Sequence, residues 1–537
     1  MLSICYIIFG LICGAQARQL TSNSNAGRVD FWRSPASRKS VADVMVDELR
    51  ADDGARRFHA LLRRANVTWR VVVDDLTKFI DEKESQLPYR GSFNSDDLNK
   101  WQRDDTDQRL RNGPGNGNGI RMGEYHSYDE ILKFMDRIRM GLPTDTVQLC
   151  SIGRSVEGRD IRGIQFGRPA QRTRKVVWID AGFHAREWTA IHTAVYFIQH
   201  IANELAAGAD RSTLAQYLEL VDVLIFPCLN PDGYEFTRTD PRNPSVRFWR
   251  KNRSAERCGF VDGVRDAQHR RCCRGVDLNR NFNFRFAETG TSYFPCSEIF
   301  HGDGAFSEPE TRAVRDAVLD SDLRGRLEAF VDLHAYSQLW IYPFSHKKFA
   351  YPADIDELKS VARRAVTAIG EKFGTQYMYG TGPEIIYAYA GGSTDWAKQS
   401  AKIKYTYTIE LRPSYLSWNG FVLDRTQLIP TARETFDGIM IVVETIVKNL
   451  KRSSPSSQQS RISVNSPVSP QLDETIGQPI VGSSSSGTVV SPSTGPAACE
   501  DLVAYCANWL ANNAMLCHAS RASMYTNCRR SCGFCGV

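Results

Sequence analysis

Four segments between residues 124 and 450 read as strands: 175–180, 221–229, 328–334 and 403–411. In the last, alternation puts Ile403, Tyr405, Tyr407 and Ile409 on one face and Lys404, Thr406, Thr408 and Glu410 on the other. Residues 187–205 and 354–373 carry helical patterns, and Ser307-Glu-Pro-Glu310 resembles a capping box at the head of another helix. A last amphipathic helix is expected around Ile439-Met-Ile-Val-Val443, which Glu444 and Lys448 follow. Strands alternating with helices over this length imply an α/β domain with a largely parallel or mixed sheet.

The pattern changes on either side. Upstream, residues 68–73 predict a strand and 74–83 a helix opened by the acidic pair Asp74-Asp75. From 87 to 123 the chain collapses into Asn, Gly, Asp and Arg, an exposed and protease-sensitive linker. Downstream, residues 451–498 are rich in Ser, Pro and Gly and bury too little apolar surface to order themselves, so they read as a tether. The first 14 residues are apolar and lead to Ala15-Gln16-Ala17, the small-x-small form that signal peptidase accepts, so residues 1–17 are expected to be an export leader. That run is too short to span a bilayer, and no later segment is long and apolar enough to do so.

Composition adds little to this picture: 42% hydrophobic and 24% charged residues are ordinary for a globular chain, and 537 residues call for more than one domain. A formal charge of +6 at this length, with no basic stripe, argues against nucleic acid as a partner. Cysteine changes it more. Of 14 cysteines, Cys5 and Cys13 lie in the leader; the other twelve, an even number in an exported chain, favour disulfides.

The candidate chemistry rests on three places. After the strand at 175–180 comes Gly182-Phe-His-Ala-Arg-Glu-Trp188, where His184 and Glu187 at i, i+3 can converge on one metal ion. Alone, such a pair arises by chance, and a surface His–Glu contact accounts for it as well. The strand at 328–334 ends in His334, at the carboxyl end where open α/β sheets bind ligands, though a satisfied strand-end histidine would read the same. Glu410 lies on the polar face of the fourth strand, which is costly on a central strand unless that face lines a cavity; an amphipathic edge strand is the alternative. From the cavity, Glu410 could take a proton from water and return it to a leaving amine.

These features occur in one order with Asn230-Pro-Asp-Gly233, Phe248-Trp-Arg-Lys251, Asp277-Leu-Asn-Arg-Asn281, Cys296-Ser-Glu298, His334-Ala-Tyr-Ser337, Tyr387, Gly391-Gly-Ser-Thr-Asp-Trp396 and Ile409-Glu-Leu-Arg412. In these motifs the chain, from about Val29 to residue 450, closely resembles the zinc carboxypeptidases of the A/B family. The resemblance implies a mixed eight-stranded sheet flanked by helices, preceded by a small α+β prodomain. It also implies one zinc ion, with peptide or protein C-termini as substrate and an endoprotease that activates the precursor. By the same resemblance His184, Glu187 and His334 match the metal ligands, Glu410 the general base, and Arg250 the cation that stabilises the oxyanion. Asn279 and Arg280 match the pair holding the terminal carboxylate, a task suited to a guanidinium fork. Tyr387 matches a mobile tyrosine that closes over the bound side chain, and Arg186 a further substrate contact.

The expected boundaries are 18–121 for propeptide and activation linker and 122–450 for the catalytic domain. Too few residues precede Val29 for the family's usual first strand and helix, so either the prodomain is shortened or the sequence lacks a segment. Cleavage is expected between Arg103 and Arg121, with Arg109 and Arg111 the favoured sites. At the base of the side-chain pocket the family carries an aliphatic residue in A-type enzymes and aspartate in B-type ones; here it is Thr394. With no carboxylate there, a Lys or Arg side chain would be buried unpaired, which favours apolar or aromatic C-terminal residues. Gly382 and Ser345, however, stand where B-type enzymes carry small residues, and Tyr389 adds bulk near the wall.

Cys273–Cys296 matches the family's common disulfide. Cys258 and Cys272 bracket an insertion that they can close as a loop, and Cys150 and Cys228 either pair or remain buried thiols. Asn66 and Asn252 are glycosylation sequons, but Asn252 lies too near Arg250 for a glycan to be expected. Residues 499–535 resemble the ShK toxin-like domain, a disulfide-rich module whose family pairing is Cys499–Cys535, Cys506–Cys528 and Cys517–Cys532. The region 520–525 lacks the Lys-Tyr pair by which some relatives block potassium channels, so the module reads as one that binds an extracellular target.

Overall fold

The computed structural model describes residues 3–9, 28–33, 42–47, 63–64, 68–73, 75–84, 120–208, 212–260, 270–415, 417 and 419–453. The chain falls into two compact units, Met1–Val447 and Lys448–Val537. The tether beyond residue 453, the cysteine module with its three pairings, most of the activation linker and the Asn66 sequon lie outside the described residues.

In the amino-terminal region, strands β1 (Ser3–Phe9), β2 (Arg28–Arg33), β3 (Ala42–Asp47) and β4 (Thr68–Val73) form a sheet in the order β2-β3-β1-β4. The strand at 68–73 is as expected. Strand β1 comes from the stretch expected above to be an export leader. Ile4, Ile7 and Ile8 suit both uses, because the β-branched residues that make a leader apolar also favour strands.

The catalytic region contributes β5 (Val147–Arg154), β6 (Asp160–Phe166), β7 (Lys175–Ala181), β8 (Val221–Phe226), β11 (Leu327–Ser337), β12 (Leu339–Ile341), β13 (Met378–Gly380) and β14 (Tyr405–Ser414). Two more strands, β9 (Arg257–Phe260) and β10 (Arg270–Cys273), pair as a separate hairpin. The eight form one mixed sheet in the order β13-β12-β14-β11-β7-β8-β6-β5. Its four middle strands, β14, β11, β7 and β8, run parallel. Helices on both faces of a parallel sheet leave its middle strands dry, so β8 is buried throughout and β7 almost so. Trp178 of β7 packs within 5.7 Å of Phe330 and 4.4 Å of Phe226, centroid to centroid, on the two flanking strands. The one acid in β8, Asp222, is tolerated because Arg174, Gln165 and the Arg168 amide all donate to it.

Strand β14 is central, not an edge: it lies between β11 and β12. Its polar face carries the buried Thr406 and Thr408 and the half-buried Glu410. The helix Trp188–Ala207 follows β7 directly, and Ile355–Phe373 and Leu428–Ser453 occupy the stretches where helices were expected. The capping box at Ser307 does not form. The helix Pro309–Leu319 starts with proline after Glu308 and has no side-chain cap, since Ser307 Oγ bonds Glu308 and Glu310 turns to Asn252 and the Val156 amide.

Both expected catalytic-domain disulfides are present. Cys258–Cys272 joins directly opposed residues of the β9–β10 hairpin, and Cys273–Cys296 ties that hairpin to the neighbouring loop. Cys150 and Cys228 are thiols, which decides between the two readings left open. Asn252 is fully buried, its amide donating to Glu308 and Glu310, so a glycan is excluded there in the folded chain.

The helix Leu76–Glu84, at the end of the prodomain, lies against the catalytic region. Lys83–Asp424 (2.9 Å) and Asp81–Arg242 (3.0 Å) are partly exposed pairs and contribute little. The contact that dominates is buried: both Glu84 oxygens, at 2.7 Å each, accept from Arg247, whose guanidinium stacks 3.7 Å from the Trp188 ring. Removing one partner of a buried fork strands the other charge, at about 3–5 kcal/mol. Glu84→Ala should therefore weaken prodomain docking, seen as faster release of the segment after tryptic cleavage, whereas Lys83→Ala should change release by less than about threefold.

Candidate metal centre and substrate pocket

The site is assembled at the carboxyl ends of the parallel strands. Strand β7 ends at Ala181, and the turn that follows carries His184 and then Glu187, which caps the helix Trp188–Ala207. His334 lies on β11, and parallel register places it directly beside Glu410 of β14. The three candidate ligands thus come from two elements separated by about half the domain.

His184 Nδ1 is 2.8 Å from Glu187 Oε1, and His334 Nδ1 is 2.8 Å from Glu187 Oε2; a ligand atom from each residue lies within 4.8 Å of the others. On the far side of each ring, Nε2 faces a buried carboxylate: Asp277 Oδ1 at 3.0 Å from His184 and Asp332 Oδ2 at 2.9 Å from His334. Those carboxylates hold the Nε2 protons and leave Nδ1 to present a lone pair. Two lone pairs and a carboxylate facing one point repel one another unless a cation lies between them. A proton can serve as that cation: against burial, Asp332 and Glu187 push the His334 pKa well above its usual range. Glu187, despite its burial, is held well below the carboxylate range by the two histidines. Two imidazoles and a carboxylate with one side open suit a catalytic zinc ion.

Around this cluster the charges are arranged in pairs. Arg250 Nε and Nη2 donate to Asp277 Oδ2 at 3.1 and 2.9 Å, and its Nη1 is 3.8 Å from Glu187. Burial alone would depress Arg250, but Asp277 keeps it fully charged. Asp277 itself is held well below the usual range, against burial, chiefly by Arg250. Glu410 is half-buried; loss of water pushes its carboxyl up to about 8, with Glu187 adding and His334 and Arg250 opposing. A carboxyl near that value is suited to exchanging protons at neutral pH.

The remaining candidates line the space beside the cluster. Asn279 Nδ2 lies 2.9 Å from His334 Nε2, and its Oδ1 accepts from the Ser393 amide at 2.8 Å. Arg280 is fixed by the Gly290 and Asn279 carbonyls, its Nη2 lies 3.4 Å from the Tyr387 hydroxyl, and its guanidinium sits 4.5 Å from the Tyr389 ring. Arg186 is buried over the Phe421 ring at 4.2 Å, with Glu298 4.0 Å away. Thr394 Oγ1 and Thr408 Oγ1 pair at 2.9 Å, so two hydroxyls stand where a charge would be needed for a basic side chain. The next residue, Asp395, accepts from the Ser345 amide at 2.7 Å, and burial pushes its carboxyl up to about 7.

Comparison with known proteins matches this geometry. The family model for zinc carboxypeptidase matches residues 131–438, that for the carboxypeptidase activation peptide residues 15–83, and that for the ShK domain-like module residues 498–535. The chain belongs to the zinc carboxypeptidase family. Bovine (Bos taurus) carboxypeptidase A1 is 34% identical over 423 residues, covering 79% of this chain and 88% of that one. Carboxypeptidase B of the crayfish Astacus astacus is 39% identical over 325 residues, 60% of this chain and 97% of its own. The crystal structure of thrombin activatable fibrinolysis inhibitor superposes with a TM-score of 0.65 at 26% identity, covering 84% of this chain and 100% of that one.

In this zinc carboxypeptidase His184, Glu187 and His334 come together, with Arg250 3.8 Å from Glu187 and Asn279 2.9 Å from His334. Sequence reasoning missed the residues behind them. Asp332 could have been found, since Asp-Leu-His places it two residues before His334 on the same strand face. Asp277 stood inside a matched motif without a role. Asp180, opposite Asp332 in the sheet, gave no signal; burial and the neighbouring Asp332 push its carboxyl well above the usual range. Asp277→Asn would remove the carboxylate behind His184. Zinc affinity should fall about 10- to 100-fold, read by competition with a chromogenic chelator.

Proposed function

We propose that this zinc carboxypeptidase is an exported exopeptidase, made as a zymogen, that removes one residue at a time from peptide C-termini. The observation that carries the reading is adjacency: Asn279 touches His334, and the guanidinium of its neighbour Arg280 is fixed by two backbone carbonyls. A carboxylate grip one residue from a metal centre suits a substrate that ends there, because an internal peptide bond offers no carboxylate for the fork.

His184, Glu187 and His334 would hold the zinc ion. Bound there, zinc supplies Lewis-acid chemistry, making water nucleophilic at neutral pH and polarising a carbonyl. The chain's own residues do the rest. Arg280 and Asn279 bind the terminal carboxylate and so set which peptide bond lies over the metal centre. Glu410 takes the proton of the attacking water and delivers it to the departing amine. Arg250, kept charged and immobile by Asp277, faces the negative charge that develops on the scissile oxygen. Tyr387, half-buried and within reach of Arg280, closes the cleft over the bound end. Arg186 lines the approach for residues further up the peptide.

Thr394 and Thr408 supply hydroxyls and no charge, which supports an A-like preference for apolar C-terminal residues. The 1–17 leader and the even cysteine count support export, cleavage between Arg103 and Arg121 would free the enzyme, and the ShK-like module would direct it to an extracellular target. After limited trypsin treatment, blocked dipeptides ending in Leu should be hydrolysed at least tenfold more efficiently than those ending in Lys or Glu. Chelation should abolish the release and added zinc restore it; release that is indifferent to chelator would refute the assignment. Glu410→Gln should lower kcat on the order of 10²- to 10⁴-fold with little change in KM.

A further inference from the structure

Tyr389 is buried, with 6% of its surface exposed, and its ring occupies room left by two glycines. A Cβ placed at Gly382 would meet Tyr389 Cε1 at 3.1 Å, and one at Gly392 would meet Cε2 at 2.9 Å. The Gly382 position also lies 3.1 Å from the side chain of Ser345, and Gly392 precedes Ser393-Thr394 at the pocket floor. The ring therefore stands among Gly382, Gly392 and Ser345. It is held there: the Tyr389 amide donates to Ser345 O at 2.8 Å, and the Arg280 guanidinium lies over the ring at 4.5 Å from its centroid.

We propose that Tyr389 determines how deep the side-chain pocket is, so that the enzyme prefers peptides ending in short apolar residues such as Ala or Val over those ending in Phe. This rests on the reading of Asn279 and Arg280 as the carboxylate clamp. With the terminal carboxylate on Arg280, the substrate's last side chain starts beside the Tyr389 ring. A methyl or isopropyl group fits against that ring; a second aromatic ring needs the space the first one fills. Displacing Tyr389 would uncover the face of Arg280 and break the packing against both glycines.

The test is kcat/KM of the trypsin-treated enzyme on blocked dipeptides ending in Ala, Val and Phe, for the wild type, Tyr389→Ala and Tyr389→Phe. The wild type should favour Ala or Val over Phe by at least tenfold. Tyr389→Ala should raise the Phe-to-Ala ratio at least fivefold, mainly through a lower KM for Phe, whereas Tyr389→Phe, which keeps the ring, should retain the wild-type ratio. Loss of support for Arg280 would lower all three rates by a common factor and cancels in the ratio. A wild type that favours Phe, or a Tyr389→Ala ratio that moves less than fivefold, overturns the proposal; the wild-type ranking decides even if the alanine variant does not fold. No chelator-sensitive release from any of the three peptides would instead overturn the exopeptidase reading on which it rests.

Discussion

Each imidazole of the metal centre has a buried carboxylate behind it, and hydrogen bonds from several parts of the catalytic region hold those carboxylates still. Asp277 receives Arg250 on one oxygen and His184 on the other, so it couples the metal centre to the buried guanidinium of Arg250. Asp332 receives His334, Ser393 and, at 3.3 Å, Asn279, coupling the same centre to the loop that forms the pocket floor. Charges this deep are tolerable only when paired, and here every pairing also aims a functional group. A change at Asp277 would be felt at His184 and Arg250 together, and one at Asp332 at His334, Asn279 and Ser393 together.

The sheet supplies the geometry. Parallel register sets His334 beside Glu410 and Asp332 beside Asp180, and the turn after β7 brings His184 and Glu187 to the same end. Because strands cannot slip by one residue without turning their buried face outward, the apolar pattern of β7, β11 and β14 also protects the positions of the ligands and the base. The prodomain holds to the same region by a different route. Arg247 is three residues from Arg250, and its guanidinium is satisfied by Glu84 and the Trp188 ring, so the prodomain's last helix is fastened close to the segment that carries the oxyanion cation.

The pocket is where this chain departs from a simple A or B type. Thr394 and Thr408 satisfy each other, Asp395 is turned to a backbone amide, and Tyr389 fills what two glycines leave open. Each is a small local choice.

Much of this was legible in the chain itself. The periodicity of 175–180, 328–334 and 403–411 set the middle strands, and ordered motifs singled out His184, Glu187, His334, Arg250, Asn279, Arg280 and Glu410, because a reaction that needs a metal, a base and a carboxylate grip demands those residue types. Cys258 and Cys272 could be paired from an insertion's ends. Other matters were open until the fold was known. The missing cap at Ser307, the thiols of Cys150 and Cys228, the Glu84–Arg247 fork and the seat of Tyr389 all depend on what a residue meets across the fold. Residue type and spacing state what a side chain can do; partners hundreds of residues away in the chain decide whether it is paired, buried or displaced, and only the tertiary structure brings them together.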